Sequence, residues 1–517
     1  MSASREKNKR KEQAAAPAAA NESKKGMSKG LKTTLIAVCA VLIVCIVVFF
    51  YMLTSGFFAS HVTAATVGTH KLSPVTVNYF YRGAYNAMQN QYGDMMSYLL
   101  DTETPLDEQV YDEESGKTWA DYFMEQGLAS AAAEYAIYDE AVANGHTLSE
   151  EELASIDSQI STLELYASYY GVNLDTYIAS MYGTGCNEKT FREYMNVVML
   201  ADSYSNAVNQ GFTYTADELA AEYAANTNSY DTVTYRQFLV SDSLFEPVST
   251  DENGNVDETE TPSEEELTAL KEEMASSMAE QASGDEAAFI NLAYENCLAS
   301  AKESYADESY TLKADQFYSS LGATVADWLF DTARAEGDTT YLVDESSGVY
   351  YVLYYVSRDT NENLLPNVRH ILISVSDTTD EEAMEAARTE ANEILDTFNA
   401  GDKTAESFAA LAAEHSDDNA DEGGLYEAVL PGQMIASFNN WLFDDARQIG
   451  DTGIVEGEYG VHVMYFDSYS DVVYRDALVE NALREADTTA WYNELTGMDS
   501  DAPKYTLVPF GMKYVTK

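Results

Sequence analysis

Apolar positions follow three different patterns along the chain. Residues 34–53 are almost continuously apolar; since a helix needs about 20 such residues to cross a membrane, a transmembrane helix is predicted over residues 33–54. Between residues 67 and 225, apolar and aromatic side chains recur every three or four positions, which indicates helices. From Thr232 to Val240 they alternate, as in a strand. This change of period predicts a domain boundary near residue 228.

The segment before the apolar run is basic. Residues 1–32 contain nine Lys and Arg and three Glu, so the positive-inside rule predicts a cytoplasmic tail, a single-pass location in the cell membrane and an extracytoplasmic position for residues 55–517. A cleaved signal peptide is the competing interpretation, because Val62-Thr63-Ala64 resembles a weak cleavage site, although the apolar run is longer than a typical signal core. A lipid anchor at Cys45 is disfavoured, since no small residue precedes this cysteine.

Two stretches of the chain, 113 positions apart, are nearly the same. They are WLFDTARAEGDT at residues 328–339 and WLFDDARQIGDT at residues 441–452, and they are identical at nine of twelve positions. Each is preceded by a strand-like segment that begins with arginine, at Arg236 and Arg369, and each is followed by a Gly-Val pair that opens another strand pattern. The chain therefore contains a duplicated unit, in which the order of strands and acidic-capped helices is typical of an α+β fold.

These patterns predict a multidomain α+β protein. Its predicted parts are a basic cytoplasmic tail (1–32), the transmembrane helix (33–54), an all-α domain (60–230), a first α+β copy (231–360), a second α+β copy (364–468), and a C-terminal helix and strand (469–517). Within the all-α domain, Ser149 and Thr215 are predicted to begin helices through capping boxes. Its many Tyr and Met residues suit either a groove for unfolded segments or ordinary core packing.

Charge and cysteine content exclude several classes of function. The chain carries a net charge of −58 and its basic tail contributes +6, which leaves −64 on the residues after the tail. Such a field repels phosphate backbones, so nucleic acid is excluded as a partner. Outside the apolar run the only cysteines are Cys186 and Cys297, which are too few for a disulfide framework.

Histidines are concentrated in the second copy. Of the six in the chain, His370, His415 and His462 lie within 93 residues of one another. Their spacing matches no zinc motif, so neither a metal nor another cofactor is predicted. Nucleophilic hydrolysis is not predicted either, because there is no Gly-x-Ser-x-Gly elbow and Cys297 lies in the copy without histidines.

The second copy contains a series of short motifs in a fixed order. They are Arg369-His370-Ile371-Leu372, Phe408–Ala412 leading to His415-Ser416-Asp417-Asp418, Gly423-Gly424, Pro431-Gly432-Gln433-Met434, Phe438, and Tyr459-Gly460-Val461-His462. In this order and spacing, residues 367–467 resemble the parvulin (PpiC, or rotamase) family of peptidyl-prolyl cis/trans isomerases. The layout of anchor, helical domain and two copies also resembles the SurA and PrsA group of extracytoplasmic foldases, which implies that the all-α domain is a SurA-like chaperone domain.

The resemblance implies roles for individual residues of the second copy. His370 and His462 are implied to be paired catalytic histidines on adjacent strands, with Asp418 beside them. The implied substrate-binding residues are Met434 and Phe438, which would form apolar walls around the proline ring, together with Gln433 and Leu372. The alternative interpretation is that both histidines are satisfied core residues that support the sheet.

The first copy and parts of the second depart from the family pattern. In the first copy, the positions that match the two histidines and the two walls are interpreted as Gln237, Tyr350, Leu321 and Val325, so this copy is expected to be inactive. In the second copy, Leu425-Tyr426-Glu427 replaces the usual Asp-Leu-Gly after the glycine pair. Gly457 or Glu458 stands where Ser or Thr is often found.

The leading hypothesis is a membrane-anchored extracytoplasmic foldase. Its helical domain would hold unfolded or nascent exported polypeptides, while the second copy would isomerise their X-Pro bonds. Such catalysis needs neither nucleophile nor cofactor, because a dry apolar pocket favours the twisted amide over the planar one. The alternative is a non-catalytic holdase that uses both copies as docking platforms. A third class is a structural protein associated with the cell wall.

Overall fold

The computed structural model describes residues 29–54, 56–245, 262–497 and 502–516. These residues form a mixed α+β structure, which confirms that part of the predicted fold class. The described residues divide into two compact units: those within Met1–Gly211 and Thr488–Lys517 form unit 1, and those within Phe212–Asp487 form unit 2. The predicted cytoplasmic tail falls largely on residues 1–28, outside the described residues.

The helices and strands alternate irregularly along the chain. The helices are α1 (Lys29–Thr54), α2 (Phe57–His61), α3 (Pro74–Tyr92), α4 (Trp119–Ala143), α5 (Glu150–Tyr169), α6 (Leu174–Tyr182), α7 (Glu188–Gly211), α8 (Ala216–Ala225), α9 (Thr227–Tyr230), α10 (Glu264–Ala282), α11 (Glu286–Asn296), α12 (Lys302–Tyr305), α13 (Ala323–Leu329), α14 (Glu381–Ala400), α15 (Ala405–His415), α16 (Ala436–Leu442), α17 (Tyr474–Thr496) and α18 (Pro509–Met512). The strands are β1 (Ala65–Val67), β2 (His70–Leu72), β3 (Val110–Asp112), β4 (Lys117–Thr118), β5 (Thr232–Val240), β6 (Leu312–Phe317), β7 (Thr339–Asp344), β8 (Val349–Asp359), β9 (Leu364–Ser374), β10 (Leu425–Tyr426), β11 (Thr452–Gly457), β12 (Gly460–Val473) and β13 (Tyr505–Leu507).

Helix α1 contains the apolar run. Its side chains are described from residue 37 to residue 52, and large apolar ones among them are exposed, for example Val41 at 62% and Ile43 at 61%. Within the described residues, however, no helix combines the length and the apolar content that crossing a membrane requires. The predicted transmembrane helix over residues 33–54 is therefore unsupported.

Unit 1 is built mainly from helices α3 to α7. The predicted capping box at Ser149 is present, because its hydroxyl accepts from the Glu152 N–H while the Glu152 carboxylate accepts from the Ser149 N–H. Strand β13 pairs antiparallel with β1, so the C-terminal residues complete a small sheet with β1 and β2. Aromatic side chains such as Phe80, Trp119 and Phe123 form the core below this sheet.

Unit 2 contains two antiparallel four-stranded sheets of the same topology. The strand orders are β6-β5-β8-β7 and β10-β9-β12-β11, so each strand has its counterpart in the other sheet. The duplicated sequence has the same structure in both copies: Arg334 lies over the Trp328 ring at 4.8 Å, and Arg447 lies over Trp441 at 4.2 Å. The repeat is therefore a helix-to-strand connection, common to both copies, in which arginine packs on tryptophan.

The two faces of the β9–β12 pair carry different cores. Odd-numbered positions, including Ile371 and Val463, face α14 and α15 and pack with Phe398 and Phe408. Even-numbered positions face the other way and pack with α16. Since successive side chains in a strand point to opposite faces, His370 and His462 lie on the α16 face.

The sheet register corrects one assignment in the first copy. In the second copy His462 pairs with Leu372, two residues after His370. In the first copy the residue two positions after Gln237 is Leu239, and it pairs with Tyr351. Tyr351, and not Tyr350, is therefore the counterpart of His462. Tyr350 packs in the core on the opposite face, with Phe238 and Val352.

Candidate functional site

The site is built around two buried histidines on neighbouring strands. His370 lies on β9 and His462 on β12, at diagonal positions of the antiparallel pair, where side chains are within reach of each other. Their Nδ1 atoms are 3.1 Å apart, and the rings stack with an interplanar angle of 22°. Both residues are almost fully buried, with 3% and 4% of their surface exposed. The sheet therefore brings the predicted histidine pair into direct contact.

Asp418 extends the histidine pair to a third group. Its Oδ2 lies 3.0 Å from His370 Nε2, and the same oxygen accepts the Tyr426 hydroxyl at 2.9 Å. The loop that carries Asp418 is fixed to β9, because the Ser416 hydroxyl accepts from the Leu372 N–H at 3.1 Å and donates to the Asp418 carbonyl at 2.6 Å. Asp418 itself is half-buried, so this end of the set meets solvent.

The hydrogen bonds assign one tautomer to each ring. An ionised Asp418 requires a proton on His370 Nε2, which leaves His370 Nδ1 as an acceptor for the His462 Nδ1–H. His462 Nε2 is then an unprotonated acceptor. This nitrogen is buried, and no described residue hydrogen-bonds to it. Gly457 lies next to this nitrogen, because a Cβ there would be 3.5 Å from it.

Burial keeps both histidines neutral. Desolvation lowers the pKa of His370, although the Asp418 carboxylate acts in the opposite direction. Desolvation and the neighbouring His370 lower the pKa of His462 to about 4. Burial and the hydrogen bond to Asp418 raise the pKa of Tyr426 to about 12, so its hydroxyl remains a donor. The site thus holds a neutral imidazole pair next to one carboxylate.

An apolar wall covers the same face of the sheet. Phe438, on α16, is buried, and its ring lies edge-on to both histidines at 5.4 and 5.9 Å. Met434 is half-buried and packs against the cluster that includes Phe438, Val368 and Met464. The structure therefore brings both predicted wall residues to the face that carries the histidines.

The remaining predicted site residues have different positions. Leu372 lies directly opposite His462 in the sheet register and is half-buried on the same face. Gln433 is exposed, and its Oε1 accepts from the Leu430 N–H at 2.8 Å, which closes the turn before α16. His415 ends α15 and is not part of the hydrogen-bonded set.

Sequence reasoning missed Tyr426 and Ser416. Tyr426 counted as a departure from the family pattern, yet its hydroxyl binds the Asp418 carboxylate. The available signal was its place two residues after the glycine pair, on the short strand β10 beside β9. Ser416 belongs to the motif His415-Ser416-Asp417-Asp418, but the sequence pattern assigns no function to it. Among the described residues, no group of three or more His, Cys, Asp or Glu is arranged to hold a metal ion.

The corresponding face of the first copy is filled by tyrosines. The Tyr235 hydroxyl donates to Gln237 Oε1 at 3.3 Å, where the second copy has its histidine pair. Tyr351 packs with Tyr235 and Tyr355 in the same cluster as Val325 and Leu321. No imidazole lies in this copy, because its sequence contains none.

Comparison with known proteins assigns part of the chain to a family. Residues 351–468 match the model of the PPIC-type PPIASE domain. The chain is 28% identical over 185 residues to the foldase protein PrsA of Clostridium perfringens (strain SM101 / Type A), a match that covers 36% of this chain and 48% of PrsA. It is 35% identical over 104 residues to NifM of Azotobacter chroococcum mcd 1, covering 20% of this chain and 34% of NifM. The chain thus spans about half or less of these curated relatives.

Solved structures of PrsA proteins also align with the chain. The crystal structure of PrsA from Bacillus subtilis covers 76% of this chain and 92% of its own, with 12% identity and a TM-score of 0.26. The PrsA structure from Bacillus anthracis covers 58% of this chain and 95% of its own, with 15% identity and a TM-score of 0.20. At these scores the superpositions support no conclusion about how the parts are arranged.

Proposed function

Because residues 351–468 carry a PPIC-type, or parvulin-type, peptidyl-prolyl isomerase domain, we propose that this chain is a foldase that isomerises X-Pro bonds in unfolded polypeptides. The observation that carries the proposal is the contact of His370 with His462 and Asp418, next to the apolar wall of Phe438 and Met434. The first copy, which lacks this set, is proposed to be inactive as an isomerase.

The proposed mechanism uses burial rather than covalent chemistry. Rotation about an X-Pro bond crosses a barrier of about 20 kcal/mol, because the planar amide loses its resonance on twisting. Phe438 and Met434 would hold the proline ring away from water, where the less polar twisted amide is favoured. The neutral histidines would orient the amide, and His462 Nε2 is a buried acceptor to which no described residue donates. Each 1.4 kcal/mol or so gained in this way is about a tenfold increase in rate.

A prolyl isomerisation assay with matched variants tests this proposal. Met434→Ala shortens the wall of the second copy, and Leu321→Ala makes the corresponding change in the first. With an X-Pro tetrapeptide and the full chain, Met434→Ala is expected to lower kcat/KM about tenfold, as the loss of about 1.4 kcal/mol of apolar contact implies. Leu321→Ala is expected to leave it unchanged. Equal effects of the two variants, or no catalysis by the wild-type chain, would contradict the proposal and favour the holdase alternative.

A chaperone role on exported proteins is proposed for the whole chain. It is supported by the similarity to the foldase protein PrsA and by exposed aromatic side chains in unit 1, such as Tyr169 at 82% and Tyr170 at 65%. The full chain is therefore expected to suppress aggregation of a denatured protein at near-stoichiometric ratio. A chain that leaves aggregation unaffected would remove this part of the proposal without touching the isomerase.

Attachment to the cell membrane through the N-terminal segment is proposed as well. The support is the basic tail followed by an apolar run, together with the exposed apolar side chains of α1. Removal of residues 1–56 is expected to move the protein from the membrane fraction to the soluble fraction of cells that express it. A full-length chain that is extracted from membranes by high salt alone would contradict this anchor.

A further inference from the structure

Four tyrosines lie together in unit 1, on α5, at its C-cap and on α6. Tyr177 stacks with Tyr166 at 6.4 Å and with Tyr170 at 5.9 Å between ring centres, and Tyr169 lies 5.2 Å from Tyr170. Helix α5 buries a stripe of Ile156, Ile160 and Ala167, so these rings are on the part of its surface left uncovered. We call the set Tyr166, Tyr169, Tyr170 and Tyr177 the tyrosine patch.

The exposure of the tyrosine patch is unusual for aromatic side chains. Tyr169 is 82% exposed and Tyr170 is 65% exposed, and the neighbouring Leu165 is 70% exposed. Contiguous exposed rings of this kind are a feature of binding surfaces, because aromatic rings supply large contact areas at low entropic cost. The rings are already stacked on one another, so little order has to be gained on binding.

A cavity of about 350 Å³ on the same two helices and the start of α7 adds charge to this surface. Three carboxylates, those of Glu164, Asp175 and Glu188, line it beside Leu174. Glu188 is 3.7 Å from the Arg192 guanidinium, which also binds Asp157. No described residue forms an ion pair with Glu164 or Asp175. The cavity therefore carries negative charge, and two of its three carboxylates have no ion-pair partner among the described residues.

The sequence around the patch strengthens this field. Residues 118–188 contain twelve Asp and Glu and no Lys or Arg. A cationic side chain is attracted by the carboxylates and also by the faces of the tyrosine rings. An anionic segment is repelled by both the cavity and the surrounding charge. Charge complementarity therefore favours a ligand with cationic side chains, and the tyrosine rings favour apolar or aromatic residues next to them.

We propose that the tyrosine patch and the carboxylate cavity bind segments of unfolded polypeptide in which Lys or Arg stands next to apolar or aromatic residues. This inference rests on the proposed chaperone function and names the site and the class of client within it. The aromatic residues of the client would lie on the tyrosine rings, and its cations would meet Glu164 and Asp175.

Peptide binding to the full chain tests the inference. Two labelled, proline-free peptides of identical apolar and aromatic content, one with Lys and one with Glu at its charged positions, are compared by fluorescence anisotropy. The Lys peptide is expected to bind at least about tenfold more tightly, with an affinity that falls as salt rises. The double variant Tyr169→Ser/Tyr170→Ser is expected to weaken its binding about tenfold or more. Tyr98→Ser, which removes an equally exposed tyrosine outside the patch, is the matched control and is expected to have no effect.

A charge variant separates the two parts of the surface. Glu164→Gln/Asp175→Asn is expected to weaken binding of the Lys peptide several-fold and to reduce its salt dependence. Equal affinity for the two peptides, or unchanged affinity in the Tyr169→Ser/Tyr170→Ser variant, would overturn the inference. A change in molecular mass by light scattering in that variant would also overturn it, because the occupant would then be a second copy of the chain.

Isomerase activity reports separately on the proposed function. The tyrosine variants are expected to keep full kcat/KM on an X-Pro tetrapeptide, which is too short to need the patch. Loss of peptide binding with retained isomerase activity locates the effect in unit 1. A wild-type chain that binds the Lys peptide at the patch yet isomerises nothing would support the inference and contradict the isomerase.

Discussion

His462 stands at the end of a line of hydrogen bonds that begins at Asp418. The carboxylate fixes the proton of His370 on Nε2, and this in turn fixes the proton of His462 on Nδ1. Neither ring is charged, because desolvation lowers the pKa of both. The set therefore leaves a buried, uncharged hydrogen-bond acceptor, His462 Nε2, on the face that carries the apolar wall, which suits a reaction that depends on a dry environment.

The neutrality of the histidines predicts the pH profile of isomerisation. An imidazole in water has a pKa near 6.5, and burial shifts that of His462 down to about 4. Since a lowered pKa keeps the ring neutral above it, kcat/KM is expected to be constant from pH 8 down to about pH 5.5. It is then expected to fall as the pH approaches about 4. A prolyl assay across this range measures it, and an inflection near pH 6.5 would show that the histidines titrate as exposed ones do.

Tyr426 illustrates which residue roles the sequence does not determine. The motif order predicted that His370, His462 and Asp418 would converge, and they lie within hydrogen-bond distance. Their catalytic role stays a prediction. The role of Tyr426 depends on its hydroxyl reaching the Asp418 carboxylate, which is a matter of side-chain direction and not of residue type or spacing. Gln433 shows the converse, because its motif position suggested the substrate pocket while its side chain closes a turn.

At the scale of elements, the glycine pair joins β10 to β9. Gly424 has φ +68, its carbonyl accepts from the His370 N–H at 2.9 Å, and a Cβ there would lie 2.1 Å from the His370 carbonyl oxygen. A side chain at this position must push the strand that carries His370 away from the loop that carries Asp418.

Gly424→Ala is therefore expected to lower the free energy of unfolding by about 3 kcal/mol or more, through strain and steric overlap together. Gly450→Ala is the matched control, because Gly450 also has positive φ but a Cβ there meets nothing within 4 Å. It is expected to cost only about 1 to 2 kcal/mol. Urea unfolding of both variants measures the difference, and equal losses would show that close packing at Gly424 is unimportant.

The length of one hairpin explains why the sequence pattern matched His462 to Tyr350 instead of Tyr351. The turn between β7 and β8 contains four residues, 345–348, whereas the turn between β11 and β12 contains two, 458–459. Matching Gly348 to Gly460 therefore shifts the register by one residue, and a shift of one residue moves a side chain to the opposite face. The Trp-Leu-Phe-Asp repeat predicted the duplicated fold, but only the strand pairing identifies Tyr351.

At the scale of the whole molecule, duplication and composition predicted more than local geometry did. Two sheets of equal topology follow from a repeat that retains its Trp-Arg packing while losing its histidines. The prediction of a transmembrane helix was based on the length of the apolar run alone. The described part of the chain contains no helix that is both long enough and apolar enough to cross a membrane. From the sequence, the residues of the tyrosine patch could equally belong to the hydrophobic core. Their spacing along a helix does not show which side of the helix is buried.

The central claim is that catalysis depends on the histidine set of the second copy. The double variant His370→Gln/His462→Tyr gives the second copy the residues of the first and tests this claim in the full chain. The first copy already accommodates Gln and Tyr at the corresponding positions of its own sheet. Two-dimensional exchange NMR of an X-Pro peptide measures interconversion directly. The wild-type chain is expected to produce cis/trans exchange cross-peaks, and the double variant, with unchanged circular dichroism, is expected to produce none above the uncatalysed level. Cross-peaks of equal intensity with both proteins would contradict the account.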